Sequence, residues 1–287
     1  MPGNNYHSRG GNGSGRIPVL LNVAEKPSVA RSLAAVFNRM PQSKEAVPMR
    51  RDAAQIFTHD NVVFPDIYSQ ANGNNHSSSS SGGNSSRRRP HKMITTSVRG
   101  HLAGIEFGPE YGWSRCDPIQ LFEAPLQTTY RDDMVPLKRM LTNLSKQVDG
   151  LVLWLDCDRE GEAIADEVLQ VCLESNRRLA NFIYRAKFST VLDAEIVRAL
   201  SSLGRINDSF VQAVQARSEL DLRVGAAFTR FQTLRLQKKF VLPGSNGGNG
   251  NSSSVVSYGP CQFPTLGFVV ERWARIEIFV PDDFWFL

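Results

Sequence analysis

The feature that most limits what this chain can be is Asp156-Cys157-Asp158-Arg159-Glu160-Gly161-Glu162, four carboxylates at spacing two directly after the apolar run Leu151–Leu155. Such an apolar run reads as a strand buried on both faces. Side chains at i and i+2 near a strand end leave on one side. Asp156 and Asp158 therefore converge, and Glu160 reaches in from the turn. Converging carboxylates without His or Cys are hard oxygen ligands suited to Mg²⁺. The carboxyl end of a parallel strand is also where α/β sheets build their sites. Two other readings compete. The run Asp156 to Glu167 nearly fits a calcium-binding EF-hand loop. It fails because position nine is Ile164, position five is the long Glu160, and a strand rather than a helix precedes it. Acidic residues also decorate helix N-termini, where the macrodipole favours them. That accounts for one or two carboxylates but not for Asp156 and Asp158 at a strand end.

The surrounding pattern is α/β. Val19–Val23 reads as a buried strand, followed by Glu25-Lys26-Pro27-Ser28 and an amphipathic helix with Val29, Leu33, Val36 and Phe37 on one face. Pro27 suits the first helical turn. Further strands are expected at Met93–Val98 and Phe182–Phe188, with helices at Pro136–Val148 and from Gly161 to Leu173. Strands alternating with helices imply a mostly parallel sheet flanked by helices. Glu25 sits at another strand-to-helix turn, so in a parallel sheet it can face Asp156 and Asp158. By itself, Glu25-Lys26 also reads as a surface ion pair at a helix start. After Thr190 the strands stop, and Val191–Leu203 and Asp208–Phe240 read as helices. A domain boundary is expected near 195–207. The predicted organisation is a disordered N-terminus over 1–16, an α/β domain over 17–195, and a mainly helical segment over 205–287. The last stretch, Val255–Leu287, is rich in aromatics and ends on Phe284-Trp285-Phe286-Leu287, as expected of a chain cut inside a domain.

Two segments interrupt this pattern. From Ala71 to Arg89, 14 of 19 residues are Asn, Gly or Ser, and the stretch ends on Arg87-Arg88-Arg89; residues 245–254 are Ser, Asn or Gly throughout. Neither has apolar surface to bury, so both are expected to be mobile insertions. The arginine triplet reads as a solvated charged loop or as a nucleic-acid contact. The net charge of +5 is compatible with nucleic acid without establishing it. The apolar runs fall far short of the roughly 20 residues a membrane span needs. Met1 to Arg16 lacks the apolar region of a secretory signal. Cys116, Cys157, Cys172 and Cys261 form no CxxC pair, which disfavours both a zinc site of that kind and a disulfide framework.

Taken together, Val23-Ala24-Glu25-Lys26-Pro27-Ser28, Thr96-Ser97-Val98-Arg99-Gly100-His101-Leu102 and Leu153–Glu162 resemble the TOPRIM domain of type IA DNA topoisomerases of the eukaryotic topoisomerase III kind. The stretches Arg217–Thr233 and Ser257–Gly267 continue the resemblance in family order. The FEAP and TLRLQ segments look closer to the alpha-like branch. The resemblance implies a TOPRIM domain, the start of a helical DNA-gate domain and the first piece of an arch. It implies ATP-independent cleavage of single-stranded DNA through a 5′-phosphotyrosyl link, strand passage and religation, in recombination and repair. It assigns Asp156, Asp158 and Glu160, together with Glu25, to Mg²⁺, places Glu25 also beside the scissile phosphate, and gives Lys26 a phosphate. A nuclear location, a RecQ-family helicase partner and an OB-fold cofactor protein are also implied. The family's nucleophilic tyrosine precedes a proline. None of Tyr6, Tyr68, Tyr111, Tyr130, Tyr184 and Tyr258 does, so this chain is expected to be inactive alone.

Arg223 and Arg230, seven residues apart, share a helical face, with Arg217 about a turn and a half earlier. From spacing alone this is a solvated basic stripe; with the resemblance, the three arginines become single-strand phosphate contacts. Gln262 and His101 are similar candidates, and His101 equally fits a capping or core role. Two alternatives stand beside the topoisomerase fragment: a self-contained TOPRIM nuclease or primase-like enzyme, and a non-catalytic DNA-binding module.

Overall fold

The computed structural model describes residues 17–40, 49–50, 54–65, 88–113, 115–240, 255–281 and 283–285. The N-terminal segment 1–16, residues 71–87 of the first low-complexity stretch and all of 245–254 lie outside the described residues. The chain forms two compact units, one built from the residues up to Leu102 with Arg131–Val211, the other from Ala103–Tyr130 with the chain from Gln212 onward. The first unit is thus assembled from two stretches rather than one, and the division near the end falls at Val211, after the expected 195–207.

The first unit is a six-stranded sheet in the order β2-β3-β4-β1-β7-β8. Its strands are β1 (Val19–Ala24), β2 (Met49–Arg50), β3 (Gln55–Pro65), β4 (Arg88–Ser97), β7 (Gly150–Trp154) and β8 (Ile183–Arg185). β1 runs parallel to β4 and β7, and β7 parallel to β8; β3 and β2 are added antiparallel on the β4 side. The mostly parallel sheet expected from the alternating pattern is therefore present. β1 and β7 are interior strands with a neighbour on each side, which is why both read as mostly apolar runs: Leu20, Leu21, Val23 and Leu151–Trp154 are all fully buried. One polar residue is built into that centre. Asn22 accepts a hydrogen bond from Trp154 Nε1 at 2.9 Å and donates to Met93 Sδ at 3.3 Å.

Four helices belong chiefly to this unit: α1 (Pro27–Arg39), α2 (Val135–Ser145), α3 (Arg159–Ser175) and α4 (Asp193–Ser201). α1 buries Ala30, Leu33, Ala34, Val36 and Phe37, close to the predicted face, with Val29 half-buried. Two features escaped the sequence. β4 begins at Arg88, so Arg88 and Arg89 belong to a strand rather than to a loop. β3 was not anticipated because its alternation breaks at a bulge between His59 and Val62, where Asn61 adopts a φ of 63°.

The second unit contains the hairpin β5 (Gly104–Phe107) and β6 (Leu126–Thr129), most of α5 (Asp208–Leu236), and α6 (Gln262–Glu277). α6 was not foreseen. Leu266, Val269, Val270 and Trp273 stand at i, i+3, i+4 and i+7 on one face of it, and that apolar face is exposed. No helix among the described residues is long and apolar enough to cross a membrane.

His59 is fully buried in β3, edge-on to the Phe37 ring at 5.7 Å, and neither ring nitrogen has a hydrogen-bond partner of good geometry. Burial pushes its pKa below the ordinary value, against smaller opposing effects from the Ala34 carbonyl and Asp60. A folded-state pKa below the unfolded one means that stability is fully present above about pH 6.5 and is lost as the pH falls below it. His59→Phe, which keeps a ring against Phe37, is expected to flatten the acid side of the stability profile. Urea unfolding between pH 5 and pH 8 tests this, and parallel profiles for the two proteins would show that His59 does not contribute.

Candidate functional site

Register brings three strand ends to one edge of the sheet. Val23 pairs with Thr96 on one side and Leu153 on the other, and Ala24 with Ser97 and Trp154. The ladder extends one step further through Glu25 N–H to the Trp154 carbonyl and Val98 N–H to the Ala24 carbonyl. Glu25, His101 and Asp156 thus all follow the carboxyl ends of neighbouring parallel strands.

Glu25 is 13% exposed, and its Oε2 accepts a hydrogen bond from Asp156 N–H at 2.9 Å. Lys26 Nζ lies 2.7 Å from Asp156 Oδ2 and 3.6 Å from Glu25 Oε1, so both carboxylates lie against one ammonium. The hydrogen bond to Asp156, with the negative charge of Glu25, holds the Lys26 pKa above its ordinary value. Lys26 occupies the N-cap position of α1, but its ammonium, a donor only, cannot cap the helix N–H groups and makes this contact instead.

Asp158 is the N-cap of α3, with Oδ1 accepting from Gly161 N–H at 2.7 Å. Gly161 is required by proximity: a Cβ there would lie 2.0 Å from the Asp156 carbonyl oxygen. Glu160 turns to His101, whose Nε2 is 3.0 Å from Glu160 Oε2 and whose Nδ1 is 2.7 Å from Glu167 Oε1. With a carboxylate at each ring nitrogen, the ring is held as an imidazolium. The hydrogen bond to Glu167 is the largest cause raising its pKa to about 9. Glu167 also accepts from Leu102 N–H at 2.7 Å and so fixes the turn after β4. Glu167 is therefore committed away from the calcium loop that its spacing mimics, and the segment before Asp156 is the strand β7.

The structure therefore gathers Glu25, Lys26 and Asp156, places Asp158 and Glu160 next to them along the chain, and gives each carboxylate a protein partner. No group of three or more His, Cys, Asp or Glu side chains is gathered to hold a metal among the described residues. The donor chemistry suits a hard cation, because Cys157 turns its thiol to the Phe188 carbonyl at 3.3 Å and leaves oxygen donors.

Spacing did not reveal the role of Glu162. Its carboxylate and the Arg185 guanidinium are buried together, with Arg185 Nε 3.0 Å from Glu162 Oε1 and side-chain exposures of 0% and 5%. Arg185 also donates to the carbonyls of Leu153, Ala186 and Asp156, and Glu162 Oε2 accepts from Asn207 N–H at 2.9 Å. The only sequence signal was a lone charge within Ile183-Tyr184-Arg185-Ala186.

In the second unit, the helical face expected to meet phosphates makes intramolecular contacts. Arg223 donates to the Leu121 and Ala124 carbonyls, both at 2.8 Å, and pairs with Glu219. Arg230 donates to the Tyr111 carbonyl, with Phe107 and Trp113 ring centroids at 6.0 and 5.7 Å. These contacts bind the segment from Ala103 to Tyr130 to α5. Arg217 and Gln262 are exposed, Gln262 on the first turn of α6.

Removing one partner of a buried ion pair strands the other, at a cost of about 3–5 kcal/mol. Glu162→Leu is expected to destabilise by that order in chemical denaturation, and Glu162→Leu with Arg185→Met to recover part of the loss. A double variant no more stable than Glu162→Leu would show that the guanidinium contacts to backbone carbonyls outweigh the ion pair.

Residues 21–191 match the Toprim domain family and residues 205–287 the DNA topoisomerase family. A DNA topoisomerase 3 of Dictyostelium discoideum is 42% identical over 286 residues, covering 93% of this chain and 31% of that protein. The DNA topoisomerase 3-alpha of Arabidopsis thaliana is 42% identical over 275 residues, covering 95% of this chain and 26% of that protein. The Homo sapiens DNA topoisomerase 3-alpha is 43% identical over 195 residues, covering 67% of this chain and 18% of that protein. The chain spans about a third or less of the length of these relatives. With the family pattern running over more than half of its length, the chain belongs to the Toprim-domain proteins, and the helical stretch that follows is similar to the DNA topoisomerases.

Proposed function

We propose that this chain furnishes the carboxylate site and a single-strand-binding helix of an ATP-independent type IA DNA topoisomerase. The observation that carries this is the meeting of Glu25 and Asp156, from adjacent parallel strands, at one Lys26 ammonium. Asp156, Asp158 and Glu160 would hold Mg²⁺, which when bound neutralises charge on a phosphodiester. Glu25, fixed by the Asp156 amide, stands beside the scissile phosphate. Lys26, kept cationic by its carboxylate neighbours, contacts a phosphate oxygen there. Arg217, Arg223, Arg230 and Gln262 lie along the path of the strand, with His101 at the strand-end edge. The attacking hydroxyl belongs to a tyrosine in a Tyr-Pro context, which none of the six tyrosines in this sequence has. The protein then acts in the nucleus, with a RecQ-family helicase and an OB-fold protein as partners.

Titration calorimetry with Mg²⁺ tests the site. Asp156→Asn with Asp158→Asn is expected to weaken binding by at least the roughly 10-fold that loss of even an outer-shell partner costs. Unchanged affinity removes the metal assignment. Incubated with Mg²⁺ and the chain alone, negatively supercoiled plasmid is expected to remain supercoiled. Relaxation, or a covalent adduct trapped by denaturant, would show that one of the six tyrosines is itself the nucleophile.

A further inference from the structure

Between the short 3-10 turn Pro118–Phe122 and α5 lies an open groove of about 320 Å³, whose apolar lining includes Ile119, Phe122, Phe228 and Phe231. These side chains are 70%, 42%, 44% and 53% exposed. The one carboxylate on its rim, Asp117, is engaged in a capping box: its Oδ1 accepts from Ile119 N–H at 3.0 Å, while its own N–H donates to Gln120 Oε1. The wall is fixed from behind, because Arg223 holds the carbonyls of Leu121 and Ala124 on either side of Phe122.

Phe228, Phe231 and Arg235 stand at i, i+3 and i+7, on one face of α5. The Arg235 guanidinium lies 5.9 Å from the centroid of the Phe231 ring. Helical hydrogen bonding continues past α5 through Gln237 N–H to the Thr233 carbonyl, and the exposed Lys238 and Lys239 follow directly. Exposed aromatic faces therefore lead straight into a cluster of three cations. A groove at the small end of the roughly 300–1,000 Å³ range of ligand sites is a poor seat for a helix about 10 Å across. Flat rings with adjoining positive charge suit a ligand that offers planar aromatic faces at intervals along a polyanion.

We propose that this groove is a base-stacking subsite for single-stranded nucleic acid, with Phe231 as the principal platform and Arg235, Lys238 and Lys239 on the adjoining phosphates. The proposal rests on the DNA-binding reading above and adds a subsite that neither the carboxylate edge nor Arg217, Arg223 and Arg230 supply. Stacking on an aromatic side chain is sequence-tolerant, so affinity should depend on the presence of bases and little on their identity.

The test is fluorescence anisotropy with a labelled oligothymidine and an abasic strand of equal length, across a salt series. Phe231→Ala is expected to weaken oligothymidine binding by roughly 5- to 150-fold, the span of one lost base stack. Phe231→Trp should preserve it, and abasic-strand binding should be insensitive to both changes. Arg235→Gln should lower the salt slope by about 0.7, one phosphate contact on a single strand. Circular dichroism and the thermal midpoint of Phe231→Ala, a change at an exposed position, should match those of the parent chain. If the parent chain binds oligothymidine and Phe231→Ala binds it equally well, the subsite is overturned while the DNA-binding reading stands. An equal loss on both strands makes the groove an apolar docking face and overturns the subsite too. If the parent chain binds neither strand even at low salt, both fall.

Discussion

Arg185 and Glu162 bind the carboxylate-bearing edge of the sheet into one unit. An arginine and a glutamate removed from water cost several kcal/mol each in desolvation, which geometry must offset. Here the guanidinium meets one carboxylate oxygen and three backbone carbonyls, and the second carboxylate oxygen meets the Asn207 amide. Two of those carbonyls, of Leu153 and Asp156, belong to β7 and the turn that leaves it. The pair therefore fixes where the sheet ends, how the chain turns, and where α3 begins. Gly161 completes the constraint, since the helix comes so close to the Asp156 carbonyl that a methyl group has no room. The fourth carboxylate of the acidic run works as an internal anchor, while Asp156, Asp158 and Glu160 meet Lys26, the Gly161 amide and His101.

Around that anchor, charges of opposite sign are interleaved. Lys26 lies against Glu25 and Asp156, and His101 bridges Glu160 and Glu167. Carboxylates this close repel strongly in partly buried surroundings, and the two cations offset that repulsion. His101 has a second effect: through Glu167 and the Leu102 amide it ties the turn after β4 to α3. Three consecutive strands of the sheet, β4, β1 and β7, are thus linked at their carboxyl ends by side chains as well as by ladder hydrogen bonds.

The second unit uses arginine differently. The Arg223 and Arg230 guanidinium groups satisfy carbonyls of an irregular segment that lacks enough secondary structure to satisfy them itself. Arg230 also lies near two aromatic rings. That is why residues 103–130 group with α5 although 77 residues of chain separate them. Helical spacing showed that the two arginines share a face and could not show what the face touches.

Much of the architecture was legible because it depends on local pattern. The apolar runs of β1 and β7, the proline opening α1 and the carboxylates after β7 are consequences of burial on two faces, of fixed φ and of strand geometry, all of which act within a few residues. What was not legible depends on distant pairing. β3 is a strand because β4 lies beside it, bulge included. α6 was missed although Leu266, Val269, Val270 and Trp273 share one helical face, which the fold leaves exposed. Glu162, Glu167 and Arg185 carry the same charges as their solvated neighbours, and only the fold buries or pairs them. The sequence by itself determined which residue types stand at the strand ends and in what order. The tertiary structure decided which carboxylates face outward and which anchor the interior, because that depends on the partner each one meets across 23 to 131 residues of chain.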